Sequence, residues 1–266
     1  MDQTRASSTP DPSAAPTARP ARPPASRLPL IGAVLLVALA VAFAAHLFLA
    51  ARHRAALERA AGGTVVPGGR PAPQYRLVNQ LGQGVDSSAF AGKVQVVTFL
   101  FPYCTSYCPM IAANLVRFER TLQRNGLDGR VRIVAFNVDP AGSGPRQIRA
   151  FMQEYGWDPR DLRWQFLTGT PAQIMRVVQR GYMVDYWRVS DAEEEREAAK
   201  ERAAGTYVAE PTVANAVAER AHVNYDIVHN DMLEIVGPDG TIRRLYDGAE
   251  KVSDAQLLAA VEAALP

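Results

Sequence analysis

The chain has 266 residues, 48% hydrophobic and 21% charged, the make-up of a globular protein, which excludes collagen-like, coiled-coil and wholly disordered chains. Its 29 Lys and Arg against 27 Asp and Glu leave a formal charge of +2, too balanced for a nucleic-acid binder. With 2 Cys, the chain can build neither a disulfide scaffold nor a four-thiolate zinc site from its own residues.

Residues 1–27 hold Pro10, Pro12, Pro16, Pro20, Pro23 and Pro24 among Ala, Ser and Thr, with no apolar period. Such a stretch cannot bury enough apolar surface to offset its ordering entropy and is expected to be a disordered tail. Residues 30–51 read LIGAVLLVALAVAFAAHLFLAA, apolar apart from His46. At about 1.5 Å per residue the run spans roughly 33 Å, enough for a hydrocarbon core of about 30 Å. Residues 28–52 are therefore predicted as an uncleaved transmembrane signal anchor. A cleaved signal peptide is the alternative, disfavoured by the long segment before the run and by the run's length. His46, near the end of the span, reads as an interfacial polar residue. Arg19, Arg22 and Arg27 on one side and Arg52, Arg54 and Arg59 on the other leave the orientation open by charge alone. Residues 53–73, which include GGTVVPGGRPAP, are expected to be a Gly/Pro linker.

From residue 74 onward strands and helices alternate. KVQVVTFLF (93–101) is a continuous apolar, β-branched run, as a strand buried on both faces requires. After PYCTSYCP, the positions Ile111, Leu115, Phe118 and Leu122 recur at helical spacing, with Gly126 at the stop. VRIVAFNV (131–138) is a second buried strand, 148–155 a helix, 162–167 a short strand, 171–180 a helix with Pro near its start, and 182–189 a further strand. Residues 224–236 and 241–246 flank the turn signal GPDG and read as a hairpin, and 253–265 as a closing helix with Ser253 as N-cap. This order predicts an α/β layer structure, a mixed sheet flanked by helices, over residues 74–266. Within it, 190–221 reads as an inserted charged segment whose core, DAEEEREAAKER, is a solvated helix with spaced Glu–Arg and Glu–Lys pairs. Docking of a partner is the sharper reading of that helix.

Cys104 and Cys108, with Pro109 after them, fall where the first buried strand gives way to the first long helix. Backbone N–H groups and the positive end of the helix stabilise thiolate there, and a spacing of four puts both sulfurs on one face of a turn. Two thiolates can close a strained disulfide or clamp a soft cation such as Cu(I). The competing readings are two buried small hydrophobes, or a structural disulfide around a loop too small to stabilise much. A copper ion held by two thiolates needs at least one further ligand, and imidazole suits it. His46 and His53 lie at the membrane segment, which leaves His222 and His229, the latter on the first strand of the late hairpin.

The run VTFLFPYCTSYCPM, the later AFNVDP (135–140) and the hairpin HNDMLEIVGPDG together resemble the Sco/SenC family. Cys104, Cys108, Asp139-Pro140, His229 and Gly240 occur in that family's order, and the anchor fits as well. The resemblance implies a thioredoxin-like fold after one transmembrane helix, with copper, Cu(I) or Cu(II), held by Cys104, Cys108 and His229. It also implies a membrane-tethered metallochaperone whose partners are an oxidase copper-binding subunit and thiol reductants, helping to assemble the copper A centre of cytochrome c oxidase. Copper assembly and thiol exchange place the globular domain on the extracytoplasmic side of a single-pass topology. Two departures stand out: Val228 occupies the place before the histidine where the family usually carries Asp, and 190–221 is longer than usual. The alternative function is thiol–disulfide exchange on partner proteins, an enzymatic role in which Cys104 and Cys108 are the catalytic pair. Dedicated reductases of this fold use C-x-x-C, which weighs against it. A peroxide-reducing enzyme would need a constellation around one cysteine that the sequence lacks.

Overall fold

The computed structural model describes residues 28–209 and 223–266; the Pro-rich tail and His222 lie outside the described residues. Two units separate, one through Ala50 and one from Ala51 to Pro266. The apolar run is helical in α1 (Leu28–Ala61). Its segment Leu35–Ala61 contains a stretch of mean hydropathy 2.1, fully exposed, long and apolar enough to cross a membrane.

The helix continues beyond the predicted end at residue 52 and stops at Gly62 and Gly63, both with positive φ. No side chain fits at Gly63, since a Cβ there would lie 2.7 Å from the Leu245 carbonyl oxygen. The predicted linker over 53–73 is corrected here by the sheet. Residues Thr64–Pro71 form strand β1, which pairs antiparallel with β10 (Thr241–Asp247) at the edge of the main sheet. Gly68 and Gly69, both at φ +73°, absorb a register shift between Val65 and Arg70. The Gly/Pro content therefore marks a bulged edge strand, a place where sheets tolerate both residues.

A small hairpin, β2 (Arg76–Val78) and β3 (Gly84–Asp86), leads into β4 (Val94–Leu100), all seven residues of which are buried. After α2 (Tyr107–Arg124) come β5 (Val131–Asn137), α3 (Pro145–Glu154), β6 (Trp164–Leu167) and α4 (Pro171–Val177), close to the predicted bounds. The predicted strand 182–189 is shorter, β7 (Tyr186–Ser190), because a wide helical turn over Val178–Tyr182 extends α4. The remaining elements are α5 (Asp191–Ala204), β8 (Tyr225–His229), β9 (Met232–Val236), β10 and α6 (Asp254–Ala264), capped by Ser253.

The main sheet has the order β1-β10-β9-β4-β5-β6, with β4, β5 and β6 parallel and β1, β9 and β10 closing it antiparallel. It is the predicted thioredoxin-like mixed sheet flanked by helices. The predicted single strand 224–236 is two strands in two sheets: β8 pairs with β7, and β9 pairs with β4. The chain breaks at Asn230 and Asp231, where the Met232 N–H bonds the Asn230 carbonyl (2.8 Å). Asn and Asp favour such local turns over continued pairing.

On one face of the sheet Phe99, Phe136, Tyr75 and Tyr182 pack ring to ring. Glu234, on β9, is buried with them, its Oε2 3.6 Å from Arg70 Nη2. Burial pushes this carboxyl up to about 8, although the Arg70 charge pulls the other way. A carboxyl with a folded pKa above its unfolded value of about 4.3 contributes stability below that value, and the contribution is lost as pH rises through the window to about 8. The melting temperature is expected to fall across that window. Glu234→Gln should flatten the profile and raise the melting temperature at pH about 8.5. Arg70 keeps its bonds to the Gly181 and Tyr182 carbonyls in that variant. A wild-type melting temperature that rises from pH about 5 to 8 would contradict the assignment.

Candidate metal centre

Cys104 and Cys108 sit in the turn between the buried end of β4 and the first turn of α2. The Cys104 N–H bonds the Phe101 carbonyl (3.0 Å), and the Phe101 N–H donates to Cys108 Sγ (3.4 Å), so each end of the strand exit is tied to one cysteine. Pro109 falls in the first turn of α2, where its missing N–H costs no helical bond. Both cysteines are buried and unbridged. Cys104 Sγ contacts Ser106 Oγ at 3.4 Å.

The two thiols differ. A hydrogen bond from Cys108, and a second from Ser106, hold the Cys104 thiol below its ordinary value despite its burial. Burial, and then the Cys104 sulfur, push Cys108 well above it. Cys104 is thus the sulfur prepared to ionise and Cys108 the one that keeps its proton and donates it.

His229 comes to this pair from the far end of the chain. β8 ends at His229, the turn at Asn230–Asp231 comes next, and β9 then pairs with β4, the strand that feeds the cysteines. The result is a contact of 3.6 Å between His229 Nε2 and Cys108 Sγ. His229 Nδ1 lies 3.1 Å from the Asn230 carbonyl oxygen, to which only a protonated Nδ1 can donate. That tautomer leaves the Nε2 lone pair facing the sulfur, the form a metal would use. Burial holds the imidazole pKa below its ordinary value, which favours the same neutral ring.

Sequence reasoning missed two partners of this ring. Asp231 Oδ1 stands 3.9 Å from Nδ1, and the Asn230 carbonyl oxygen holds the same nitrogen. Val228 itself lies on the opposite strand face, because successive residues of β8 alternate. A carboxylate at 228 would therefore point away from the ring.

The β7–β8 pair is fastened to the sheet by Asp139, in the AFNVDP motif. Asp139 Oδ1 accepts from Arg188 Nη2 (2.8 Å), and Oδ2 accepts from the Tyr225 hydroxyl (2.8 Å). The Arg188 guanidinium also lies 3.7 Å over the Tyr225 ring. Gly142 makes room for this cluster: a Cβ there would collide with both the Tyr225 hydroxyl and the Asp139 carboxylate. The motif could be seen in the sequence, but its partners are 49 and 86 residues away.

The structure thus brings Cys104 to Cys108 and Cys108 to His229. Among the described residues, no group of three or more His, Cys, Asp or Glu is drawn together tightly enough to hold a metal ion as it stands. His46 and His53 lie on exposed turns of α1. The chemistry of the donor set, two sulfurs and an imidazole with its lone pair free, fits a soft, imidazole-accepting cation.

A family model described as SCO1/SenC matches residues 67–212, a span that holds both cysteines and ends before His229. The SCO1 protein homolog of Bacillus subtilis is 25% identical over 191 residues, covering 71% of this chain and 80% of its own length. Among solved structures, Bradyrhizobium japonicum ScoI with copper bound has a TM-score of 0.53 at 18% identity, covering 74% of this chain and 100% of that one. BsSco, described as having a disulfide switch and as a member of the Sco family of cytochrome c oxidase assembly proteins, has a TM-score of 0.52 at 21% identity. That match covers 74% of this chain and 94% of that one.

Proposed function

Because the chain belongs to the SCO1/SenC family, we propose that it is a membrane-tethered copper-binding assembly factor that helps to supply the copper A centre of a cytochrome c oxidase. The observation that carries the reading is the His229 Nε2 to Cys108 Sγ contact of 3.6 Å, with the Cys104 sulfur hydrogen-bonded to that of Cys108. Cys104 and Cys108 are the thiolate ligands and His229 the imidazole ligand. Thiolates select Cu(I), and among divalent ions copper outbinds its neighbours at N/S sites. Loading requires the proton that Cys108 holds to leave, so copper binding and proton release are one equilibrium. A Cys104–Cys108 disulfide removes both sulfurs from the ligand set, which links loading to thiol redox state.

In this reading the apolar α1 is the tether, and thiol redox chemistry favours the extracytoplasmic side for the globular domain. A C-terminal reporter active only in the cytoplasm would refute that orientation. The deciding experiment is anaerobic titration of the reduced full chain with Cu(I) against a chromophoric chelator. The expected result is one tightly held copper per chain with loss of both free thiols; no copper retained against the chelator overturns the reading.

A second reading draws on the unequal thiols. A lowered, nucleophilic Cys104 beside a buried, protonated Cys108 also suits thiol–disulfide exchange on a partner. It makes no use of His229, and that separates the two.

A further inference from the structure

Helix α5 forms, with the pair β7–β8, a groove of about 850 Å³ that opens against Thr105 and Ser106, which lie between the two cysteines. The pair has two unlike faces. Tyr225, Arg188 and His229 lie on the inner one, bonded to Asp139 and touching Cys108. Trp187 and Val228, directly opposite each other in the register, lie on the outer one and stay 53% and 40% exposed. Val189 extends this apolar floor.

Above the floor stands α5, which buries none of its residues. Its sequence and caps are those of a self-sufficient helix: a Ser190–Glu193 capping box at one end, Gly205 at the other, and the pairs Glu197–Lys200 and Glu195–Arg202. Seven carboxylates line the groove, six of them from α5 and the seventh Asp226, against the single guanidinium of Arg202. Arg196 and Lys200 of the same helix are not among its lining. A chain of net charge +2 has therefore gathered negative charge around an exposed tryptophan and valine, beside the turn that carries Cys104 and Cys108. An apolar patch rimmed by charge of one sign is the form of a docking surface.

We propose that this groove docks a cationic segment with an apolar anchor, carried by the partner protein that exchanges copper or thiols with Cys104 and Cys108. The inference rests on the proposed function for the identity of that exchange. Its physical content is the occupant: an apolar side chain on Trp187 and Val228, with lysines or arginines facing the α5 carboxylates. Ser106, whose hydroxyl contacts Cys104 Sγ at 3.4 Å, also lines the groove, so an occupant arrives next to the ionisable sulfur.

Tryptophan emission reports on the groove directly, because Trp157 and Trp164 are buried, 4% and 2% exposed, and Trp187 is not. The full chain, in nanodiscs of phosphatidylcholine, is titrated with a synthetic peptide of alternating lysine and leucine, and with its glutamate–leucine counterpart. The lysine peptide should shift the Trp187 emission and bind more weakly as salt is raised, and the glutamate peptide should not bind. Glu194→Gln, Glu197→Gln and Glu201→Gln together should weaken the lysine peptide at least about tenfold, since three charge contacts are lost. Trp187→Ala, tested by calorimetry, should weaken it as well. Equal binding of both peptides, or an unchanged affinity in the triple variant, overturns the proposal. So does binding that appears only after residues 210–222 are deleted, which would make the chain's own segment the occupant. Copper titration of the same samples separates the two ideas. Peptide binding without copper binding removes the proposed function and leaves the groove, and the reverse result removes the groove alone.

Discussion

Cys108→Ser is expected to lose tight Cu(I) binding, by at least about a hundredfold, while the fold survives. A hydroxyl is a hard, weakly acidic donor that a soft cation does not favour, and the one remaining thiolate, Cys104, then shares the ion only with His229. The structural cost is small. Cys108 is fully buried, and its sulfur accepts the Phe101 N–H at 3.4 Å, a bond a serine oxygen can take over. Cys104→Ser should lose Cu(I) to a similar degree, and it should also remove the sulfur whose ionisation is favoured. Far-ultraviolet circular dichroism and a melting curve serve as the control for folding, and the chelator competition gives the affinity. Stoichiometric, tightly held Cu(I) in Cys108→Ser would show that the two sulfurs do not share a metal.

The second large effect belongs to His229. In His229→Ala the Cu(II)–thiolate absorption should be largely lost, whereas Cu(I) affinity should fall about tenfold, because Cu(II) depends more on nitrogen donors and Cu(I) is held mainly by the thiolates. Thiol–disulfide exchange by Cys104 and Cys108 should persist, since the unequal acidity of the two thiols arises from each other, from Ser106 and from burial. Asp231→Asn is the milder companion. It removes a carboxylate 3.9 Å from Nδ1 but leaves the Asn230 carbonyl, so the Cu(II) spectrum should shift and not vanish. Identical copper spectra for wild type and His229→Ala would refute the imidazole ligand and favour the exchange reaction.

Both expectations depend on a juxtaposition with a simple structural origin. Because β9 runs antiparallel to β4, it begins beside the place where β4 ends, through Val97↔Glu234 and Thr98↔Leu233. The residues just before β9 therefore arrive at the cysteine turn, and His229 is three residues before Met232. Strand β7, which pairs with β8, is held down by Asp139, so the imidazole is set from two directions.

Local pattern determined a good deal of this protein. The apolar helix α1, the buried strands β4 and β5, the amphipathic α2, the caps of α5 and α6 and the strand-to-helix placement of Cys104 and Cys108 all come from periodicity and terminal residues, which are properties of neighbours along the chain. The pairing of His229 with the cysteines could be expected from the resemblance and from the strand after it. Long-range contact decided the rest. Residues 64–71 look like a linker, and they are a strand only because β10 offers an unpaired edge and two glycines bend to meet it. Residues 224–236 look like one strand, and they are two because β7 and β4 each claim a half. Glu234 is an ionisable side chain on a short strand, and tertiary packing buries it beside Tyr182 and Arg70. Val228 reads as a missing ligand partner, and only the alternation of β8 against a fixed β7 shows it facing the groove. Period and capping act within a few residues, whereas an edge, a face or a buried charge exists only once a distant segment supplies the other side.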